Sequence, residues 1–387
     1  MDSYNFTIAI FSAVLLVFMI SYARYGLITS STYYKLCNKS LWRDITFVIP
    51  CLFYGLVLGF RYDYAWDWDQ YRNTFEFIKQ GNLFREDTEL GYIAINWILA
   101  SCGLNFYSIF ILEGLVYIYS ICYLLKDHRK LWITVIPIVY IVNSFNCLNI
   151  SRQFFAISVF LIAIRNLIDS KLKRYLLLSI IAILIHTAIA PFVVLFLFVN
   201  FIDKVKLKPL PVFVIYIFCL LFQQFFFDKI IEYSTILQQT IFTNKAYADS
   251  MMDEKYVREM MGGKQMYYKI IMQLSYIYLY FYVVIKKNLL SKFDSRILRL
   301  YLVIGLIAQF FEVAAGSHEL TSRFFYTTNI FTQVGWGIII YVIFTNIKIV
   351  TPIAFILVLF YIIKTIMSFY IDIYTTMVLN GFFIEYK

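Results

Sequence analysis

Residues 5–23 read NFTIAIFSAVLLVFMISYA, a run without a single charge that closes on Arg24. An α-helix rises about 1.5 Å per residue, so a run of this length nearly covers the roughly 30 Å of bilayer hydrocarbon. It is longer than a signal-peptide core and no basic segment leads into it, so the expectation is a retained first span.

The same pattern recurs at about 45–60, 107–125, 131–146, 153–168, 175–187, 189–202, 209–227, 268–285, 299–314, 324–345 and 350–371. The expected fold is therefore all-α and polytopic, with about twelve transmembrane helices, because a lipid-exposed backbone must satisfy its own hydrogen bonds. Over 387 residues, 61% are hydrophobic and 15% charged. Soluble domains have roughly 45–50% apolar and 25% charged residues, so an ordinary cytoplasmic enzyme is excluded. With no internal repeat or Gly/Ser linker, residues 1–387 read as a single transmembrane domain. Aromatic residues make up 20%, more than interfacial belts require, which points to aromatic-lined surfaces for lipids or sugars. The six cysteines stand singly and read as packing residues.

Assigning alternate connections to the cytoplasm places nineteen cations there, from Arg24, Lys35, Lys39 and Arg43 through to Lys348, against five acids. The opposite connections hold eleven cations and fourteen acids, so the balance is +14 inside and −3 outside. Both termini then lie outside, and external loops cover 61–106 and 228–267. The basic balance of +10 belongs to this asymmetry, not to nucleic acid. Two placements follow from keeping the cations inside. Residues 89–103 become an interfacial or re-entrant helix, and residues 175–202 break near His186 to Pro191.

The first external loop opens with FRYDYAWDWDQYRNTF, residues 60–75. If Asp63 to Lys79 is a surface helix, Asp63, Asp67 and Tyr71 share a face, where a carboxylate can take a proton from a hydroxyl. Trp66, Trp68 and Tyr71 can stack on sugar rings, although an interfacial belt with solvated acids fits the same residues. Arg61, Arg152 and Arg323 fall on the same expected side. Each alone could snorkel, but together they suit a diphosphate, which arginine grips with two parallel hydrogen bonds. His186 reads either as a hydrogen-bonded structural histidine or as a site residue beside the break. Glu113 and Glu312, inside expected spans, must face protein or a cavity. No metal-ligand spacing, phosphate-binding loop or nucleophile elbow occurs, so no metal and no cofactor is expected.

The order of these residues resembles the EpsG/Wzy family of O-antigen and exopolysaccharide repeat-unit polymerases. The family's R-Y-x-x-G-x-D-Y-x-x-Y element is matched by Arg61, Tyr62, Asp67 and Tyr71, with Ala65 in place of Gly and Trp68 in place of Tyr. Glu89, Gly91 and Tyr92 match an E-x-G-[FY] element, Arg152 and Gln153 an R-Q turn, and His186 and Arg323 the later histidine and arginine. The resemblance implies a GT-C-like membrane glycosyltransferase of the bacterial inner membrane, used in lipopolysaccharide or exopolysaccharide biosynthesis, with its active site facing outward. It further implies an undecaprenyl diphosphate-linked oligosaccharide as donor and acceptor, and leaves room for a chain-length regulator and a flippase as partners. On that reading Asp67 is the base, or Asp63 if the helix is one turn out of phase. Arg61, Arg152 and Arg323 bind the diphosphate, His186 acts near them, and Glu89 orients an arginine. The rivals are a flippase of lipid-linked sugars, which would gather cations in a central cavity, and a histidine-centred membrane O-acetyltransferase.

Overall fold

The computed structural model describes residues 3–28, 37, 40–61, 67–82, 88–202, 207–222, 265–286, 289–292, 295–315 and 319–380. All regular elements among them are helical. Seven are long and apolar enough to cross a membrane, which makes this a multi-pass membrane protein. Among the described residues the apolar helices Ile45–Gly59, Thr187–Leu197 and Pro209–Leu221, each counted in the expected twelve, are shorter than a span, as is Leu90–Ser101, so seven spans are established and not twelve. The chain divides into two compact units, Met1–Leu197 with Ile362–Lys387, and Phe198–Tyr361.

The first unit holds α1 (Ser3–Leu27), α2 (Ile45–Gly59), α3 (Trp68–Lys79), α4 (Leu90–Ser101), α5 (Tyr107–Leu124), α6 (Trp132–Asn149), α7 (Ser151–Ile168), α8 (Leu172–Ile185) and α9 (Ala190–Leu197). Asp44 starts α2 by accepting a hydrogen bond from the Thr46 amide at 3.1 Å. Helices α2 and α5 approach closely because their contact is built from glycine. A Cβ on Gly114 would lie 3.2 Å from the Gly55 Cα, and one on Gly59 only 2.0 Å from the Ile111 side chain. Helix α7 is buried nearly all round, which is the pattern of a helix at the centre of a bundle.

The aromatic residues go largely into this packing. Phe18 meets Tyr140 edge-on at 5.6 Å, and Tyr22 and Tyr25 meet Trp132 at 5.4 and 5.2 Å. Edge-to-face pairs of this kind stabilise a core by about 0.5–1.5 kcal/mol each beyond area burial. The aromatic excess thus serves ring-on-ring packing between α1, α2 and α6 and does not by itself mark a ligand surface.

Two short helices lie over the bundle. In α3 the residues Trp68, Tyr71, Phe75 and Ile78 are buried along one face, and Gly81, at φ +92°, closes the helix. The described helix begins at Trp68, with Asp67 as the residue before it, so the helix expected from Asp63 can be followed only from Asp67 onward. Asp63 and Trp66 lie outside the described residues. Helix α4, with twelve residues, is too short to span and fits the re-entrant or interfacial expectation for 89–103.

The chain reverses where the sequence places a break. Helix α8 ends at Ile185, His186 is extended, and a short 3-10 turn leads into α9. The Tyr175 hydroxyl donates to the Val193 carbonyl at 2.5 Å. In one continuous helix those residues would stand about 27 Å apart, so α8 and α9 form a hairpin with His186 at its tip.

The second unit contains α10 (Val199–Ile202), α11 (Pro209–Leu221), α12 (Gln265–Phe281), α13 (Ser295–Ala315), α14 (Glu319–Thr345) and α15 (Pro352–Asn380) up to Tyr361. Tyr276 is seated against two glycines, where a Cβ on Gly335 or Gly305 would fall 1.9 or 2.4 Å from its hydroxyl. That hydroxyl donates to the Leu302 carbonyl at 3.2 Å. Nearly all of the expected loop 228–267 lies outside the described residues, as does His318. Arg323 belongs to the first turns of α14, but its side chain is likewise outside them.

Candidate functional site

Arg61 follows the end of α2 and is 7% exposed. Its carbonyl accepts from the Trp68 indole at 3.2 Å, which ties the start of α3 to the end of α2. Its guanidinium lies 4.3 Å from the centre of the Phe110 ring, a contact that a desolvated cation makes favourably. The Nε and Nη2 atoms are buried and have no hydrogen-bond partner among the described residues. Those two nitrogens keep unused hydrogen-bond donors in a buried setting, where an unmade hydrogen bond is costly.

Phe110 and Glu113 are one turn apart on α5, so they share a face. Glu113 accepts from the Tyr92 hydroxyl at 3.2 Å. Its carboxylate interacts electrostatically with both Arg61 and Arg152. Arg152, in the first turn of α7, pairs with Glu89 at 2.9 Å and sits 5.9 Å from the Tyr92 ring. Two of the three arginines singled out in the sequence therefore converge on one polar cluster.

Tyr71 stands between these groups, with its ring against Tyr92 at 6.2 Å and Phe110 at 6.3 Å. Burial pushes its phenol above the ordinary value, Arg152 draws it back, and Asp67 and Glu113 add to the rise. One phenol thus lies within electrostatic reach of both acids and of Arg152. Asp67 itself is half-buried, and its amide donates to the Asn149 side chain at 3.3 Å, fixing it to the end of α6.

The hairpin tip completes the cluster. The Thr187 amide donates to Glu89 at 3.4 Å, and the His186 Nδ1 lies 3.9 Å from the same oxygen. Nδ1 accepts from the Ala188 amide at 3.2 Å. A nitrogen that accepts carries a lone pair, so the imidazole is neutral with its proton on Nε2, and its approach to Glu89 is not an ion pair. Gly91 makes the approach possible, because a Cβ there would lie 2.6 Å from the Leu184 carbonyl carbon.

Other expected site residues fall differently. Trp68 is 1% exposed, with Phe106 edge-on at 5.6 Å and the Arg72 guanidinium at 5.5 Å, so its ring is enclosed by protein and presents no face to a sugar. Gln153 is buried in α7. Among the described residues no three His, Cys, Asp or Glu side chains gather as metal ligands, and the acids nearest the arginines are engaged by Arg152 and Tyr92. For Glu113 the sequence leaves open whether it is structural or lines a substrate path. Its signal was a carboxylate inside an apolar span, and only the fold reveals which cations face it.

The family model described as the EpsG family matches residues 44–387. Every residue of the cluster falls inside that range. No curated protein and no solved structure matches the chain.

Proposed function

Because this chain belongs to the EpsG family, and so has a polysaccharide-polymerase type of role, we propose that it joins lipid-linked oligosaccharide repeat units at the outer face of a bacterial inner membrane. The donor is a growing glycan on undecaprenyl diphosphate, and the acceptor is the non-reducing hydroxyl of an incoming unit on the same carrier. Asp67 takes the proton of that hydroxyl, its oxygen bonds to the donor's anomeric carbon, and the carbon–oxygen bond to the diphosphate breaks.

Arg61 and Arg152 hold the diphosphate and stabilise the charge that develops on it as it leaves. Arg323 is assigned to the same task by its position in the sequence pattern. The neutral His186 can donate only from Nε2, which suits it to a hydrogen bond with a phosphate or sugar oxygen near Glu89. Glu89 keeps the Arg152 guanidinium directed at the cluster.

The observation that carries the reading is the convergence of Arg61 and Arg152 on one cluster, where Arg61 keeps open donors in a buried setting. The test is the glycan made by cells carrying Asp67→Asn or Arg152→Ala at normal abundance of the protein. Polymer should be lost and single-unit glycan should accumulate. Full-length glycan from both variants would overturn the assignment, and absence of any exported glycan would favour a flippase.

A further inference from the structure

Glu113 takes no part in the transfer written above, yet it is 5% exposed inside α5. A carboxylate enclosed in a membrane helix is costly unless other groups hold its charge. Here the Tyr92 hydroxyl donates to it at 3.2 Å, and the guanidinium over Phe110, one turn earlier on the same helix, belongs to Arg61. Arg152 acts on it as well, although that arginine already pairs with Glu89 at 2.9 Å.

Arg61 and Arg152 share this cluster with the acids Glu89, Glu113 and Asp67. A diphosphate entering it must compete with an acid already facing the same cations. We propose that Glu113 is the internal counter-ion of Arg61 and Arg152, a positioning residue that keeps both guanidiniums directed at one place and weakens their grip on a diphosphate enough for it to leave. The identity of the lipid rests on the polymerase reading, whereas the competition between carboxylate and phosphate does not.

Inorganic pyrophosphate and undecaprenyl diphosphate, each titrated calorimetrically into the full chain in nanodiscs, test this directly. Glu113→Gln keeps the shape and the acceptor for Tyr92 but removes the charge, so affinity should rise roughly tenfold. Glu113→Asp should behave like the native chain. In vesicles supplied with lipid-linked repeats, Glu113→Gln should lower KM and kcat together, because release becomes slower; a purely structural acid would shift neither in this linked way. Unchanged affinity in a folded Glu113→Gln protein overturns the proposal.

Tyr92→Phe provides an independent arm if that variant does not fold. Without the hydroxyl, more of the carboxylate's charge acts on the arginines, and pyrophosphate should bind roughly two- to threefold more weakly. Equal or tighter binding there also overturns the idea. A shift with both ligands supports a lipid diphosphate in the site, and a shift with free pyrophosphate alone supports the counter-ion with a soluble anion as ligand. Native protein that binds pyrophosphate but forms no polymer would defeat the polymerase reading and leave the counter-ion standing.

Discussion

Helices α2 and α7 each carry charged groups at both ends, and the two ends are built on opposite principles. At one end, Arg129 donates from Nη1 to Asp44 at 2.6 Å, from Nε to the Lys126 carbonyl and from Nη2 to the Cys37 carbonyl. Arg165 is used just as fully, by Asp127, Asp169 and the Leu124 carbonyl. About 20 Å away along α7 lies the cluster of Arg61 and Arg152, where Arg61 leaves two nitrogens open among the described residues. Saturated arginines lock helices together; the unsaturated one is the arginine that the proposed function gives a ligand. Burial alone does not distinguish the two, since Arg129 and Arg61 are both enclosed.

The comparison is sharpest when one arginine is removed from each end. Arg129→Ala would strand Asp44, 4% exposed, without its cation, and breaking a buried pair in this way costs about 3–5 kcal/mol. Thermal unfolding in detergent should fall markedly, while turnover per folded molecule stays close to native. Arg152→Ala should shift the balance: a rate loss of roughly 10²–10³ from one preorganised donor, with a smaller fall in melting than Arg129→Ala because its partner Glu89 is less enclosed than Asp44. A variant pair that lost stability and activity in the same proportion would erase the distinction between the ends.

A smaller effect tests whether the hairpin tip belongs to the open end. In Gly91→Ala the added carbon would meet the Leu184 backbone, which cannot swing aside as a side chain can. Overpacking of this kind costs about 1–3 kcal/mol and should displace His186 from Glu89. Polymerisation should fall further than the melting temperature accounts for. A loss of melting temperature alone would remove the tip from the site.

How far the cluster could be read in advance depends on the range of the interaction. The membrane class, the reversal at His186 and the short helix after Glu89 follow from local hydropathy and from keeping cations on one side, which are properties of contiguous sequence. The start of α3 at Trp68 was not legible, because it is set by partners distant in the chain: the Asn149 side chain for Asp67 and the Arg61 carbonyl for the Trp68 indole. The contacts of Glu113 and Gly91 escaped for the same reason. A charge map counts ions but cannot say which guanidinium faces which acid, and a lone glycine in an apolar run does not announce the Leu184 backbone beside it.

The least of the expected effects concerns pH at the locked end. Burial alone would raise the Asp169 carboxyl, but hydrogen bonds and charge from Lys126, at 2.6 Å, and Arg165 outweigh it and hold the group below its ordinary value. A carboxyl depressed by folding contributes stability above its unfolded value, near 4, and that contribution disappears as pH falls through the lower folded value. Native protein should therefore lose melting temperature on acidification below about pH 4 more steeply than Asp169→Asn, and should melt higher at pH 7. For a partly exposed ion pair the difference is on the order of 1 kcal/mol or less, measurable by parallel melts across the acid range. The rate of polymerisation in Asp169→Asn should keep the native pH dependence, because the groups of the proposed site sit at the other end of α7. If the substitution altered that profile, the locked end would be transmitting its charge state along α7, and the two ends would have to be treated as one coupled system.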